Sequence, residues 1–212
     1  MKVTDECVDR HQTEKAPTGV NWHDLTPMSR VDTLRELFLP LPWLTASWAL
    51  YASPFWYAGP IASFMFFLCA LRLNHEAIHN NLGLSRRCDQ IILHSLSFIM
   101  GASNHAVAHG HLMHHKHAMG PEDFEGKCGH LTLREVLLYG PRFVLDINRA
   151  AWAGSRTHFR RRIAFDLVRN VVMITIAVML DHRFLVFHVA AMITAQSLTA
   201  FFAVWITHQG VA

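Results

Sequence analysis

Two groups of histidines have a spacing that suits metal chemistry. One reads His75-Glu-Ala-Ile-His79 and the other reads His111-Leu-Met-His114-His115. On a helix, spacings of three and four residues place the members of each group on one face. Five imidazoles from two such segments exceed what one tetrahedral zinc takes, so the pattern favours a site with two metal ions.

The elements that must hold these histidines are expected to cross a membrane. The sequence is 51% hydrophobic and 17% charged, against about 25% charged in an ordinary soluble domain. No Asp, Glu, Lys or Arg occurs between residues 37 and 71, and a second, mainly apolar block follows later in the chain. Since a span needs about 20 apolar residues, we predict an all-α integral membrane protein with two helical hairpins. The four predicted spans cover about residues 37–53, 55–71, 163–180 and 184–206.

The distribution of basic residues orients these spans. The two hairpin turns contain a single Lys or Arg, Arg183, whereas the N-terminal segment and residues 102–169 hold most of the others. By the positive-inside rule, the basic segments face the cytosol. Residues 1–30 are then a polar cytosolic tail, and residues 31–212 form a membrane domain. The histidine groups are expected in a helical cap on its cytosolic face.

Two segments between the hairpins have local signatures. Residues 90–102 form an apolar run that is too short to cross a bilayer, so we expect it to be re-entrant or to lie in the membrane plane. Thr132-Leu-Arg-Glu135 is a capping-box pattern that predicts the start of a helix. Gly140-Pro141 predicts that this helix breaks.

Some other histidines are interpreted more simply. His188 lies twenty residues before His208, which is about 30 Å along a helix, and is therefore placed across the bilayer from the candidate site. His94 is predicted to be a buried histidine with its hydrogen bonds satisfied. His105 fits equally well as a core residue and as a partner that orients a metal ligand.

The first group also matches the H-E-x-x-H pattern of zinc proteases, in which two histidines bind zinc and the glutamate is the general base. Intramembrane proteases of this kind need a further ligand, usually an Asp before Gly, and the sequence has no Asp-Gly pair. A protease would also have no use for the second histidine group. A zinc metalloprotease remains an alternative of another class. So does a metal-ion transporter, whose ligands are expected at mid-span.

The same residues resemble the histidine boxes of the membrane fatty acid desaturase and hydroxylase superfamily, over roughly residues 37–212. The resemblance includes Trp205-Ile-Thr-His208 at the end of a later span. It implies a non-haem centre of two iron ions that uses O2 as co-substrate beside a buried channel for a lipid chain. The ligands that it implies are His75, His79, His111, His114, His115 and His208.

The implied reaction is desaturation or hydroxylation of a lipid chain, most simply a fatty acyl chain. His115-Lys-His117-Ala, followed by the acidic Glu122-Asp123-Phe124, also resembles carotenoid ketolases and hydroxylases, which are the alternative within the superfamily. Asp123 and His117 could each orient a metal ligand.

The resemblance also implies partners and a missing segment. The sequence has no cysteine motif for an iron–sulfur or rubredoxin centre, so the electrons are expected from a separate ferredoxin, rubredoxin or cytochrome. Membrane lipids surround the spans, and nucleic acid is not an expected partner because the basic residues flank those spans. The superfamily carries a third histidine box after the fourth span, whereas this sequence ends four residues past His208. We therefore expect the chain to be C-terminally incomplete, and we expect these 212 residues alone to bind iron weakly or not at all and to show no turnover with O2 and a reductant.

Overall fold

The protein is helical throughout the part that the structure describes. The computed structural model covers residues 28–117 and 123–208, and these ranges contain no strand. The predicted tail over 1–30 lies almost entirely outside them. The α-helices are α1 (Arg30–Phe38), α2 (Leu41–Tyr51), α3 (Gly59–Ile78), α4 (Arg86–Met100), α5 (Asn104–His117), α6 (Leu133–Gly154), α7 (Thr157–Leu180), α8 (Arg183–Gln196) and α9 (Ile206–His208). Short 3₁₀ turns cover Trp56–Ala58 and Gly126–His130, and a π-helix covers Ala200–Trp205.

Within the described residues, three helical segments are long and apolar enough to cross a membrane. They are Trp56–Ile78, Thr157–Leu180 and Arg183–Trp205, and they correspond to three of the four predicted spans. On α7, Val171 and Val178 are more than half exposed, so this helix presents apolar side chains outwards. Such a surface suits contact with lipid tails, and the protein is an integral membrane protein.

The start of the described chain differs from the single span predicted over residues 37–53. Two shorter helices, α1 and α2, meet at Leu39-Pro40 instead. Proline lacks an amide N–H and disfavours helical geometry in the residue before it, which explains the interruption. The 11 residues of α2 cover only about 16 Å of the roughly 30 Å apolar layer. Its Tyr51 hydroxyl lies 3.0 Å from Ser63 Oγ of α3, which fixes α2 against that helix.

A sharp reversal joins α4 to α5. The two helices are bent by 116°, and Gly101 takes the left-handed conformation at the bend, with φ +64°. Glycine adopts this conformation without strain because it has no Cβ. By length and composition, the pair is compatible with a broken span or a re-entrant loop. Its geometry returns α5 towards the end of α3.

Side chains from α7 and α8 satisfy the backbone carbonyls that this reversal leaves without helical partners. His188 Nε2 donates to the carbonyl of Ile99 at 2.9 Å, and Asn170 Nδ2 donates to that of Ala102 at 2.9 Å. Gln196 Nε2 likewise lies 3.2 Å from the carbonyl of Met100. Unsatisfied carbonyls cost several kcal/mol in an apolar layer, so these three side chains stabilise the bend.

A buried carboxylate ties the same reversal to α7. Asp166 is fully buried and accepts hydrogen bonds from Nδ1 of His94 and Nδ1 of His105, each at 2.7 Å and each on a different oxygen. Ser103 Oγ donates to it at 3.1 Å. Because His94 lies on α4 and His105 on α5, one side chain of α7 holds both arms of the bend.

Helix α6 begins as its sequence predicts but does not break. Thr132 and Glu135 form the capping box through their side chains and backbones. The helix then continues through Gly140-Pro141 to Gly154, so the predicted break is wrong. A Cβ on Gly140 would lie 1.8 Å from the carbonyl oxygen of Ser197. Helix α6 therefore packs so closely on the junction after α8 that position 140 requires glycine. This packing stabilises a helix that local propensity disfavours.

We predict that Asp166→Asn lowers the free energy of unfolding by about 2 kcal/mol, since it removes charge-assisted hydrogen bonds in a buried site. Thermal unfolding in detergent would measure this effect. Asp181→Asn is the matched control, because Asp181 is exposed and has φ +49°, a conformation that Asn tolerates well. Equal melting temperatures for the two variants would contradict the role of Asp166.

Candidate metal centre

Four histidines converge where the end of α3 meets α5. One ring nitrogen from each lies within 4.8 Å of those from the others; the four residues are His75, His79, His111 and His115. Nε2 of His79 is 3.0 Å from Nε2 of His111, which is 3.1 Å from Nε2 of His115. The i, i+4 spacing places each pair on one helix face, and the reversal at Gly101 brings the two faces together.

Two carboxylates behind the cluster orient the histidines of α5. His111 Nδ1 donates to Glu125 at 3.2 Å, and His114 Nδ1 donates to Asp123 at 2.6 Å. Both carboxylates are buried. A histidine that donates from Nδ1 keeps the Nε2 lone pair for a metal, and this pairing is typical of metal-ligating histidines.

The nitrogens lie close enough for one cation to bind several of them. Ligands about 2.1 Å from a metal ion lie roughly 3.0 to 3.4 Å apart, and the separations around His111 are 3.0 and 3.1 Å. The lone pairs of neighbouring imidazole nitrogens repel each other unless a proton or a cation lies between them. Because imidazole is a suitable ligand for iron, this set of donors suits such a metal ion.

The protonation state of His79 agrees with this arrangement. Burial, together with the neighbouring imidazoles of His75, His111 and His115, lowers the pKa of His79 to about 4. The ring is therefore neutral at pH 7, and neutral imidazole is the form that binds metal.

Of the remaining predicted site histidines, His114 lies next to this cluster. His114 is buried, and its ring centroid is 5.7 Å from that of His115, although it is not one of the four converging residues. His117 ends α5, one turn past His114. The backbone of His208 ends α9, but its side chain lies outside what the structure describes. Its role as a ligand stays a prediction.

An apolar cavity of about 430 Å³ adjoins the cluster. Its polar wall includes His75, His111 and His115, and its apolar wall is formed by Leu68, Leu71, Phe143, Ile147, Phe202 and Val204. Cavities of this size with few polar groups are typical of binding sites for small apolar molecules. A small apolar molecule bound in this cavity would lie next to the candidate metal ligands.

A second group, His94, His105 and Asp166, also has the composition of a metal site. Its nitrogen–oxygen distances of 2.7 Å are those of charge-assisted hydrogen bonds. The guanidinium of Arg169 donates to the carbonyl of His94 at 3.3 Å, and this positive charge disfavours a cation nearby. We therefore interpret the group as a structural tie. His94 is predicted to be buried with its hydrogen bonds satisfied. Its ring forms a hydrogen bond with Asp166, but its side chain is 26% exposed rather than buried.

Sequence reasoning missed two acidic residues that the structure places beside histidines. Glu125 follows the acidic pair Glu122-Asp123 by two residues, so extending that segment would have found it. Asp166 is an isolated acid in an otherwise apolar span, and such residues usually have a specific partner. Both signals were present in the sequence.

Comparison with known proteins supplies the family. A family model described as fatty acid desaturase matches residues 46–212, which include all six predicted ligands. Neither the search of curated proteins nor that of solved structures gives a match.

We predict that Glu125→Gln weakens metal binding by roughly 10- to 100-fold, because the neutral amide holds His111 less firmly in the ligating tautomer. Metal titration of the purified protein in detergent would measure the affinity. Glu135→Gln is the matched control, since Gln also satisfies a capping box. An unchanged affinity in Glu125→Gln would show that this carboxylate does not orient a ligand.

Proposed function

We propose that this chain, which belongs to the fatty acid desaturase family, uses O2 to desaturate or hydroxylate a lipid chain, most simply a fatty acyl chain. One observation carries the proposal: four imidazoles converge at the wall of an apolar cavity of about 430 Å³. The imidazoles suit a non-haem iron centre, and the cavity suits an apolar chain. Family membership supports the class of membrane oxidoreductase acting on lipids.

The stoichiometry of this chemistry requires electrons from outside the chain. Desaturation removes two hydrogen atoms from a CH2–CH2 pair and, with O2, two electrons and two protons, yields two water molecules. Hydroxylation of one C–H bond consumes the same O2, electrons and protons and yields one water. A separate electron donor of ferredoxin, rubredoxin or cytochrome type is therefore part of the proposal.

The residues of the site have distinct roles in this proposal. Two iron ions would supply the activation of O2 when bound. The four converging histidines hold the metal, and His114 adds a fifth imidazole beside them. Asp123 and Glu125 fix the rings that they contact, so that Nε2 is left for the metal. The apolar wall holds the acyl chain next to the centre.

The alternatives are supported less well. A zinc protease would use the first histidine group alone, whereas the structure brings His111 and His115 into one cluster with His75 and His79. A carotenoid ketolase or hydroxylase would share the chemistry and differ in substrate, which product analysis distinguishes.

The orientation of the site in the membrane follows from the two ends of the helix bundle. Trp56, before α3, stacks on Phe187, near the start of α8, with ring centroids 5.4 Å apart. Both lie at the end away from His75, which is separated from Gly59 by about 24 Å along α3. Because the basic segments lie at the histidine end, we propose that this end faces the cytosol.

We predict that a cysteine at 182 reacts with an impermeant thiol reagent added to intact cells and that a cysteine at 130 reacts only after lysis. His182 and His130 are both exposed, so either cysteine is accessible from its own side. The native cysteines would first be replaced by serine or alanine. Labelling in the reverse order would contradict the proposed orientation.

We predict that the full-length gene product containing this chain, expressed in a host with a compatible electron donor, forms a new unsaturated or hydroxylated lipid in air and none without O2. His79→Asn and His115→Asn should lose at least nine-tenths of this product, because each removes a proposed metal ligand. His158→Asn is the control, since His158 is exposed on α7. Mass spectrometry of total lipids and pigments measures the product. Full product from the His79 and His115 variants would refute the assigned site, and an oxidised pigment would favour the carotenoid alternative.

A further inference from the structure

A second apolar cavity, of about 300 Å³ and called the deep cavity below, lies between α2, α3 and α8 towards the end of the bundle away from the histidines, where Trp56 and Pro60 are exposed. Its lining includes Tyr51, Ser63, Phe64, Phe187, Ala191 and Leu198. The active-site cavity, which adjoins the histidines, is lined further along the same two walls by Leu68, Thr199 and Phe202. The two cavities are therefore neighbouring compartments along these walls.

Two aromatic rings stand between these compartments. Phe64 lines the deep cavity, Phe202 lines the active-site cavity, and their ring centroids are 5.4 Å apart. Both side chains are half-buried, as expected of residues that face a cavity. Truncating either ring would remove the contact that separates the compartments.

Neighbouring aromatic side chains fix the position of Phe202. It lies in the π-helix Ala200–Trp205, and its ring contacts that of Phe201, with centroids 4.8 Å apart. Phe201 in turn stacks on Trp205, whose indole N–H donates to the carbonyl of Leu131 at 2.7 Å. Single-turn π-helices inside α-helices occur frequently at functional sites. This one holds a ring at the boundary between the cavities.

We propose that the Phe64–Phe202 pair sets the length of acyl chain that the enzyme accepts, an inference that rests on the proposed function. Phe64 lies eleven residues before His75, which is about 16 Å along α3. An extended chain of carbon–carbon bonds of about 1.52 Å at angles near 111° advances about 1.25 Å per carbon, so about 13 carbons reach this pair. The native enzyme therefore takes chains that extend about a dozen carbons beyond the oxidised position.

Opening the pair would lengthen the accepted chain by a limited amount. Pro60, which lines the deep cavity, lies fifteen residues before His75, or about 22 Å and about 18 carbons from it. The hydrogen-bonded pair of Tyr51 and Ser63 lies in the lining of that cavity. Variants without one ring should therefore admit about four to five carbons more.

A binding experiment tests the proposal without relying on turnover. Fatty acids of increasing chain length, each with a photoreactive diazirine at the terminal carbon, are bound to the purified chain, and the labelled peptides are mapped. In the wild type, every length should label the active-site cavity, around Leu68 and Leu71. In Phe64→Ala and in Phe202→Ala, the longer probes should label the deep cavity, around Phe187 and Leu198. Two variants on different helices are used because either could fold poorly.

Phe55→Ala is the matched control, because Phe55 is 60% exposed and lines neither cavity. It should give the wild-type labelling pattern. Labelling of the deep cavity in the wild type, or the absence of such labelling in both ring variants, would overturn the proposal. In cells, the same variants should shift the oxidised products to longer chains. The predicted labelling without any oxidised product would instead count against the proposed function alone.

Discussion

The reversal between α4 and α5 is the constraint on which the rest of the structure depends. A chain that turns by 116° within an apolar bundle exposes backbone carbonyls that water cannot reach, and each would cost several kcal/mol if left unpaired. His188, Asn170 and Gln196 satisfy these carbonyls. Asp166 holds both arms of the turn through two histidines. Polar side chains in the long helices α7 and α8 thus have a structural purpose that their hydropathy alone does not reveal.

The candidate metal centre is a consequence of this reversal. The first histidine pair ends the long helix α3, and the second lies on the returning arm, so the two meet only because the chain turns back. The carboxylates of Asp123 and Glu125 then approach from the segment after α5 and fix the rings that they contact. Since the same convergence closes one end of an apolar crevice, metal ligands and substrate cavity are produced by one packing arrangement.

Local patterns in the sequence predicted the parts of the fold that local physics determines. Helical spacing of the histidines, the capping box at Thr132 and three long apolar spans all depend on residues close together in the chain. Pro40 also indicates the interruption between α1 and α2. The absence of charged residues over 37–71 favoured a continuous span from residue 37 instead. At Gly140-Pro141 local rules predict a helix break that does not occur. Packing against Ser197 stabilises the continuous helix there. The sequence signals that Asp166 and Glu125 need partners, but no local spacing rule identifies the histidines to which they bind.

The central claim is that the converging histidines hold a pair of iron ions suited to O2 chemistry. The most direct measurement is the Mössbauer spectrum of the full-length gene product purified after growth with ⁵⁷Fe, recorded at low temperature in the oxidised state. The account predicts a quadrupole doublet without magnetic splitting, the signature of two coupled ferric ions, with about two irons per chain. A magnetically split spectrum of isolated ferric ions, or protein that contains zinc and no iron, would contradict it.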